Sequence, residues 1–375
     1  MLNVNFGMQD VNHFSTGIGV FGNKIIMELM KYDDLDCTGH IFFTPGLRRK
    51  DFKRFRFSTK ICYLPARWMY NVRLKLLPLS MRQICHRKND VHVFFNYKLP
   101  RVKLDGKVVA TIHDLIPLKT EMENEAIRNQ YLARVQDAVK RSDEILTVSE
   151  YSRKDISDYF QIPENNIHII PNGVDFAAFN TPIDSDRLKS VRENYQLPDK
   201  FILYFGSSRK HKNVESVIKA YARLTDTLKD SFHLVITNAN EPLKQLAEKL
   251  GIQPYVRFVG KVDDSDKAAF YQLADLKLFL SLYEGFGIPI LEAMAAGTPV
   301  ITSNVSSLPE VSGDAALLVD PLDIDQIAEA VTRVLTDFEL RQDMIDKGLA
   351  NARKYTWENA AKILHDFLIH ELDHQ

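Results

Sequence analysis

Ser281-Leu-Tyr-Glu284-Gly-Phe-Gly287-Ile-Pro-Ile-Leu-Glu292-Ala-Met-Ala-Ala-Gly297 decides how this chain is read. The apolar run 276–282 that leads into it predicts a buried strand. Gly285 and Gly287 let the backbone turn tightly and come close to a ligand. Pro289 suits the first helical position, where a missing N–H costs nothing. Gly297 suits a left-handed helix end just ahead of Thr298-Pro299. Strand, glycine turn and short helix together present backbone N–H groups to a phosphate or a polar ligand. Glu284 falls in the loop and Glu292 in the first helical turn, with seven residues between them. A carboxylate at a helix start is favoured by the dipole and can accept from paired sugar or ribose hydroxyls. The plainer alternative is an ordinary helix glutamate beside ordinary turn glycines, and spacing alone leaves both open.

The chain has 375 residues, enough for two domains of ordinary size. Its formal net charge of -1 argues against a nucleic-acid partner. Its three cysteines, Cys37, Cys62 and Cys85, lie far apart and in no metal-like spacing. That points to a reducing compartment, without a disulfide frame or a zinc site. Residues 1–7 are too short and polar for a secretory leader. No apolar run approaches the ~20 residues of a membrane span. The expected location is cytoplasmic, either free or peripheral at the inner face of the cytoplasmic membrane.

Working outward toward the N-terminus, alternation predicts a first strand over 2–6 and a helix over 20–30. The loop between them ends in Ser15-Thr-Gly17-Ile-Gly19, either a phosphate-type turn or a structural one. Further strands are predicted at 40–43, 90–95, 107–112, 144–148 and 167–170. An amphipathic helix is predicted at 125–140, with Ile127, Tyr131, Leu132, Val135 and Val139 on one side. Ser149 caps the next helix. His113-Asp114 ends the strand 107–112, where sites sit in α/β sheets, although a lone His is commonly structural. Asp114 is a candidate orienter of His113.

The stretch 52–89 holds ten Lys or Arg and no Asp or Glu. Trp68, Tyr70, Leu74, Leu76, Leu77 and Leu79 are interleaved with them. Such a mixture suits an anionic membrane surface or a phosphate-bearing acceptor. It equally suits a solvated basic face over core residues.

Toward the C-terminus a second α/β series begins at 201–205. It leads into Gly206-Ser-Ser-Arg209-Lys-His211-Lys212-Asn213 and a helix over 214–224. Cations on a glycine turn ahead of a helix suit a diphosphate, and equally a solvent-facing cluster of lysines. Strands follow at 233–237, 256–260, 300–302 and 316–319, with a final helix over 357–372. Asp184-Ser-Asp186 and Asp323-Ile-Asp325 read as caps and solvated charges rather than metal ligands. Alternating strands and helices predict parallel sheets.

The signature EGFGIPILEAMAAGTPV, with TIHDLIPLK, TVSEYSRKDI and IIPNGVD in the same order, resembles retaining glycosyltransferase family 4. The resemblance runs along the chain and is strongest over 113–321. It implies an α/β chain of the GT-B fold, two Rossmann-like domains with parallel sheets facing a central cleft. The implied domains are 1–178 for the acceptor, 179–356 for the nucleotide sugar, and a helix 357–375 crossing back to the first. It implies that Glu284 contacts the donor sugar and Glu292 the ribose. The loop amides of Gly285, Phe286, Gly287 and Ile288 would face sugar and diphosphate. Lys212 becomes the phosphate lysine, with Arg209 a second cation on the Gly206 turn. His113 would approach the transferred sugar, Gly17 and Gly19 would face the diphosphate, and Val262 would lie near the base. Two departures stand out. The family often carries Gly-Gly where this chain has Thr16-Gly17, and Arg where it has His211.

The implied function is hexosyl transfer, with retention, from a nucleotide sugar to a hydroxyl. The segments most resemble bacterial mannosyl- and rhamnosyltransferases of surface polysaccharides. They point to GDP-mannose and a lipid-linked or polysaccharide acceptor of the O-antigen or lipopolysaccharide type. The alternatives are a UDP- or dTDP-sugar donor, with glucosyl, N-acetylglucosaminyl or rhamnosyl transfer, and a non-catalytic binding subunit of the same fold. A sugar-phosphate synthase or a pyridoxal-phosphate-dependent phosphorylase is a further enzyme alternative. No cofactor or metal is expected. The expected partners are the nucleotide sugar, the saccharide acceptor and an anionic membrane surface through 52–89, with no nucleic acid.

Overall fold

Short runs such as Val91–Phe94, Phe201–Tyr204 and Leu276–Phe279 are buried at every position, the pattern of strands covered on both faces by helices. A computed structural model describes residues 1–11, 16–45, 47, 52–121 and 124–371. It divides into two units, residues 1–173 with 357–375, and residues 174–356. Each is a parallel sheet with helices packed on it.

The first unit has seven strands: β1 (Leu2–Gly7), β2 (Leu35–Phe43), β3 (Thr59–Pro65), β4 (Val91–Phe94), β5 (Lys107–Thr111), β6 (Glu144–Thr147) and β7 (Ile167–Ile169). Their order is β3-β2-β1-β4-β5-β6-β7. The order reverses between β1 and β4, so the loops leaving these two strands diverge and open a crevice at their C-terminal ends. The helix Trp357–Asp366 belongs to this unit. Trp357 meets Phe21 edge-on at 6.2 Å, and His365 stacks on Tyr32 at 3.9 Å and pairs with Asp34 at 2.8 Å.

The second unit has β8 (Phe201–Tyr204), β9 (His233–Thr237), β10 (Val256–Val259), β11 (Leu276–Phe279), β12 (Val300–Ser303) and β13 (Ala316–Val319). Their order is β10-β9-β8-β11-β12-β13. Here the reversal lies between β8 and β11, the strands that lead into the Gly206 turn and the Glu284 loop. The sequence motifs therefore converge on one crevice because of strand order.

Several local expectations are corrected. The helix after β1 runs Gly17–Leu29, three residues earlier than predicted, because the Thr16 hydroxyl caps it by accepting from the Gly19 N–H at 3.1 Å. Gly17 and Gly19 are thus first-turn residues, while the loop residues 12–15 lie outside the described residues. β3 has no counterpart among the predicted strands: it is an edge strand of half-buried residues with no clean alternation. Ile127 is not on the buried side of the helix Glu125–Arg141 but 52% exposed, and Ala138 fills the core beside Tyr131 and Val135. As expected, Asp184 and Asp323 are helix caps, accepting from Asp186 N–H at 2.8 Å and Gln326 N–H at 2.9 Å. No helix among the described residues is long and apolar enough to cross a membrane.

Candidate functional site

In the second unit the polypeptide leaves β8 at Phe205 and turns at Gly206. The Gly206 N–H donates to the Thr237 hydroxyl at 3.0 Å, and the Tyr204 hydroxyl donates to the Ser207 carbonyl at 2.7 Å. A short 3-10 turn, Lys210–Lys212, follows. Asn213 closes it in the left-handed region, where Asn is tolerated. Its amide donates to the carbonyls of Leu280 at 3.1 Å and Pro321 at 2.8 Å, which ties the turn to the end of β11. The Leu282 N–H donates to the His211 carbonyl at 2.8 Å. Two loops on either side of the sheet reversal are thus sewn together by backbone and amide bonds.

This brings Lys212 to Glu284. The Lys212 ammonium lies 2.5 Å from the Glu284 carboxylate and over the Phe279 ring at 5.3 Å. The carboxylate is buried and the lysine largely so. The loop holding Glu284 is fixed from beneath by the next crossover. Glu284 N–H donates to the Ser306 hydroxyl at 3.1 Å, and the Ser307 hydroxyl donates to the carbonyls of Glu284 at 3.0 Å and Phe286 at 2.8 Å. Arg209 is exposed and has no ion-pair partner among the described residues.

The helix of the signature is Ile288–Ala295, with Gly287 as its cap at φ 117°. A Cβ there would lie 2.9 Å from Leu308. Glycine is required by both conformation and space. Gly297 ends the helix at φ 77°, as expected. Glu292, however, is not in the first turn. Counting from Ile288 it opens the second, so the dipole and the terminal amides are not what hold it. It is buried and bound from the neighbouring helix Lys267–Leu273: the Lys267 ammonium pairs with one carboxylate oxygen and the Tyr271 hydroxyl donates to the other at 3.1 Å.

Beneath both pairs lies Lys277 of β11, fully buried. Its ammonium donates to the Phe205 carbonyl at 3.0 Å and sits 5.4–6.0 Å from the ring centres of Tyr204, Phe205, Tyr271 and Phe279. Burial drives its pKa well below the usual lysine value, with the Glu292 charge acting the other way. Sequence reasoning misses Lys267, Tyr271 and Lys277. A lysine inside an otherwise apolar strand is the signal for Lys277. For Lys267 and Tyr271 it is their four-residue spacing on one helix.

Val262 is buried just past β10, the sheet edge. His113, Gly17 and Gly19 belong to the first unit. There His113 follows β5, and its Nε2–H donates to the Phe95 carbonyl at 3.1 Å while Phe21 meets the ring edge-on at 5.0 Å. Burial pushes its pKa down to about 4, with the Phe95 bond and the Asp10 charge opposing. The imidazole is therefore neutral at pH 7, with Nδ1 an acceptor for a hydroxyl. The Asp114 carboxylate accepts from the Ile116 N–H at 2.9 Å, so it caps the following turn. Asp10, also missed, follows β1 and pairs with Lys98 after β4 at 3.0 Å across the reversal of the first sheet.

The stretch 52–89 divides. Phe52, Phe55 and Tyr70 are buried and serve the core, and Arg87 pairs with Asp36 at 2.6 Å. Trp68 is 63% exposed, and Leu74, Leu76 and Leu77 are exposed beside Arg67, Arg73 and Lys75.

The family described as Glycosyl transferases group 1 matches residues 187–350, and Glycosyltransferase Family 4 matches residues 40–178. An O-antigen chain mannosyltransferase B of Escherichia coli is 33% identical over 270 residues, which span 70% of each chain. The serotype-specific mannosyltransferase WbdA of Escherichia coli is 30% identical over 280 residues, 72% of this chain. This match spans only 34% of WbdA's length, about a third. A sucrose-phosphate synthase from Thermosynechococcus elongatus superposes with a TM-score of 0.74 over the full length of both chains at 18% identity, a likeness of fold.

Proposed function

Because this chain belongs to glycosyltransferase family 4 and has the GT-B fold, we propose that it moves mannose from GDP-mannose to a hydroxyl of a lipid-linked or polysaccharide acceptor, with retention of configuration. The observation that carries the reading is the Lys212–Glu284 pair at the sheet reversal of the second unit. Donor binding would separate it. Lys212 turns to the diphosphate, joined by Arg209, and Glu284 accepts from sugar hydroxyls. Glu292 would exchange Lys267 for the ribose hydroxyls. The bond from sugar C1 to the diphosphate oxygen breaks as the bond from C1 to the acceptor oxygen forms on the same face. The acceptor's proton passes to the leaving phosphate oxygen, so no enzymic nucleophile is consumed. The leaving-group charge is taken by these cations and by the loop amides, and the step calls on no metal or cofactor. In the first unit the neutral Nδ1 of His113 would accept from a sugar hydroxyl.

Mannose rests on the relatives' names and guanine on the resemblance of the sequence segments; the pocket chemistry fits any nucleoside diphosphate sugar. The O-antigen type of acceptor rests on the same relatives. The exposed Trp68, Leu74, Leu76 and Leu77 among cations support a peripheral place on an anionic membrane face. The test is a thermal-shift and hydrolysis panel of GDP-, UDP- and dTDP-sugars. GDP-mannose should raise the melting temperature most and be slowly hydrolysed. Preference for another donor would replace the sugar assignment, and a chain that binds none of them would be a non-catalytic subunit.

A further inference from the structure

The first unit holds a cavity of about 650 Å³ beside its own sheet reversal. Gln9 after β1 and Lys98 after β4 line it, with the segment after β3 and one face of the helix Glu125–Arg141. Four cations reach it, Arg67, Arg73, Lys98 and Arg134, and no Asp or Glu is among the described residues that line it. Lys98 is neutralised by Asp10 at 3.0 Å. Arg67, Arg73 and Arg134 have no ion-pair partner among the described residues. Three guanidinium groups that line one concavity without counter-ions offer an anion there more than one charged partner. Guanidinium forks match phosphate oxygens in geometry as well as charge. The rim is apolar. Ile127 lines the cavity at 52% exposure, and Trp68 and Leu74 flank the lining arginines in sequence.

We infer that this cavity is the subsite for the phosphate or diphosphate group of an amphiphilic acceptor, whose hydrocarbon chain lies along Ile127, Trp68 and Leu74. A hydrophilic sugar would leave those side chains bare. A hydrocarbon without charge would leave the arginines unpaired. One molecule with a lipid tail and a phosphate head satisfies both. This rests on the transferase reading for the word acceptor, while the site itself stands on charge and shape.

The test is calorimetric titration of the full chain with geranyl diphosphate, geraniol, sodium pyrophosphate and a soluble short-chain phosphatidylglycerol. Geranyl diphosphate should bind at least tenfold more tightly than each of the other three. In the triple variant Arg67→Gln, Arg73→Gln, Arg134→Gln that affinity should fall at least tenfold, with an unchanged melting temperature. Arg134→Lys alone should lose less than Arg134→Gln, since the charge remains and only the fork is lost. Equal binding of geraniol would make the cavity merely apolar, and equal binding of pyrophosphate would make it a free-phosphate site. Equal binding of phosphatidylglycerol would make it a membrane head-group site, and an unaffected triple variant would place the anion elsewhere. Each of these overturns the proposal. Failure to bind any nucleoside diphosphate, measured separately by thermal shift, would instead sink the transferase reading.

Discussion

The Lys212 ammonium and the Glu284 carboxylate lie 2.5 Å apart, so each is the other's counter-ion. In the proposed donor site one end serves the phosphate and the other the sugar. Glu284→Gln removes the competitor for Lys212 while keeping shape. The expected outcome is nucleoside diphosphate affinity that is unchanged or tighter, with turnover reduced by roughly 1.5–3 kcal/mol, the worth of a charged hydrogen bond. Lys212→Ala should lose both. Binding and rates like those of the unsubstituted chain in the two variants would remove the pair from the site.

Glu292 presents a sharper question, because its two oxygens already hold Lys267 and Tyr271. If it exchanges the lysine for ribose hydroxyls, the unsubstituted chain should prefer GDP over 2′-deoxy-GDP by about tenfold, and Glu292→Gln should abolish most of that preference. The two losses should not add, as expected for partners in one interaction. Full discrimination retained in the variant would leave Glu292 a purely structural carboxylate.

Much of this site is legible in the sequence because its parts are tied to chain punctuation. Gly287 and Gly297 take the left-handed conformations their positions imply, and the cations of 209–212 sit on the turn where composition puts them. What is not legible depends on strand order and helix phase. Glu292 falls in the second turn because the cap is Gly287 rather than a residue further along. Lys267, Tyr271 and Lys277 meet Glu292 and Phe205 only once β8 and β11 are neighbours. Similarly, Asp10 and Lys98 find each other across β1 and β4, eighty-eight positions apart. The basic stretch looks uniform in sequence, yet β3 and its short helix sort it into core aromatics and an exposed apolar rim.

Acid should weaken the fold through buried histidines. His40 is fully buried, with its pKa pushed down to about 3 by burial, and that of His113 falls to about 4. Both have an ordinary value of 6.5, so between 6.5 and these values the unfolded chain binds more protons than the folded one. Stability therefore rises with pH across this window and levels off above it. Each tenfold loss of proton affinity on folding corresponds to about 1.4 kcal/mol, so the melting temperature should drop by several degrees from pH 7 to pH 5. His113→Asn should flatten part of that slope. A melting temperature constant down to pH 4 would contradict the assignment.

Leu76 and Leu77, next to Lys75 in sequence, are exposed, as is Trp68. If these side chains rest on lipid, Lys75→Gln with Leu76→Ser and Leu77→Ser should lower co-sedimentation with phosphatidylglycerol vesicles several-fold. Salt should weaken the binding of the unsubstituted chain, since each cation near the surface contributes ~1 kcal/mol that is screened. Vesicle binding absent in the unsubstituted chain, or indifferent to salt and to the three substitutions, would return these residues to plain surface.

Lys277 sets stability against function most directly. A fully buried ammonium with one hydrogen bond, to the Phe205 carbonyl, loses more hydration than its ring contacts restore. Its lowered proton affinity has the same origin. Removing a buried charge that has no ion-pair partner relieves a desolvation cost. Lys277→Met should therefore leave the fold intact and raise the melting temperature. The same substitution frees the Phe205 carbonyl one residue before Gly206, where the turn that carries Arg209 and Lys212 begins. Nucleoside diphosphate affinity should fall several-fold even though no donor-contacting side chain has changed. Lys277→Arg, which keeps a donor but not the fit among four rings, should recover little. A Lys277→Met variant that is more stable and binds nucleotide as before would show the lysine to be a leftover charge. One that is less stable would show that the aromatic cage more than compensates for burial.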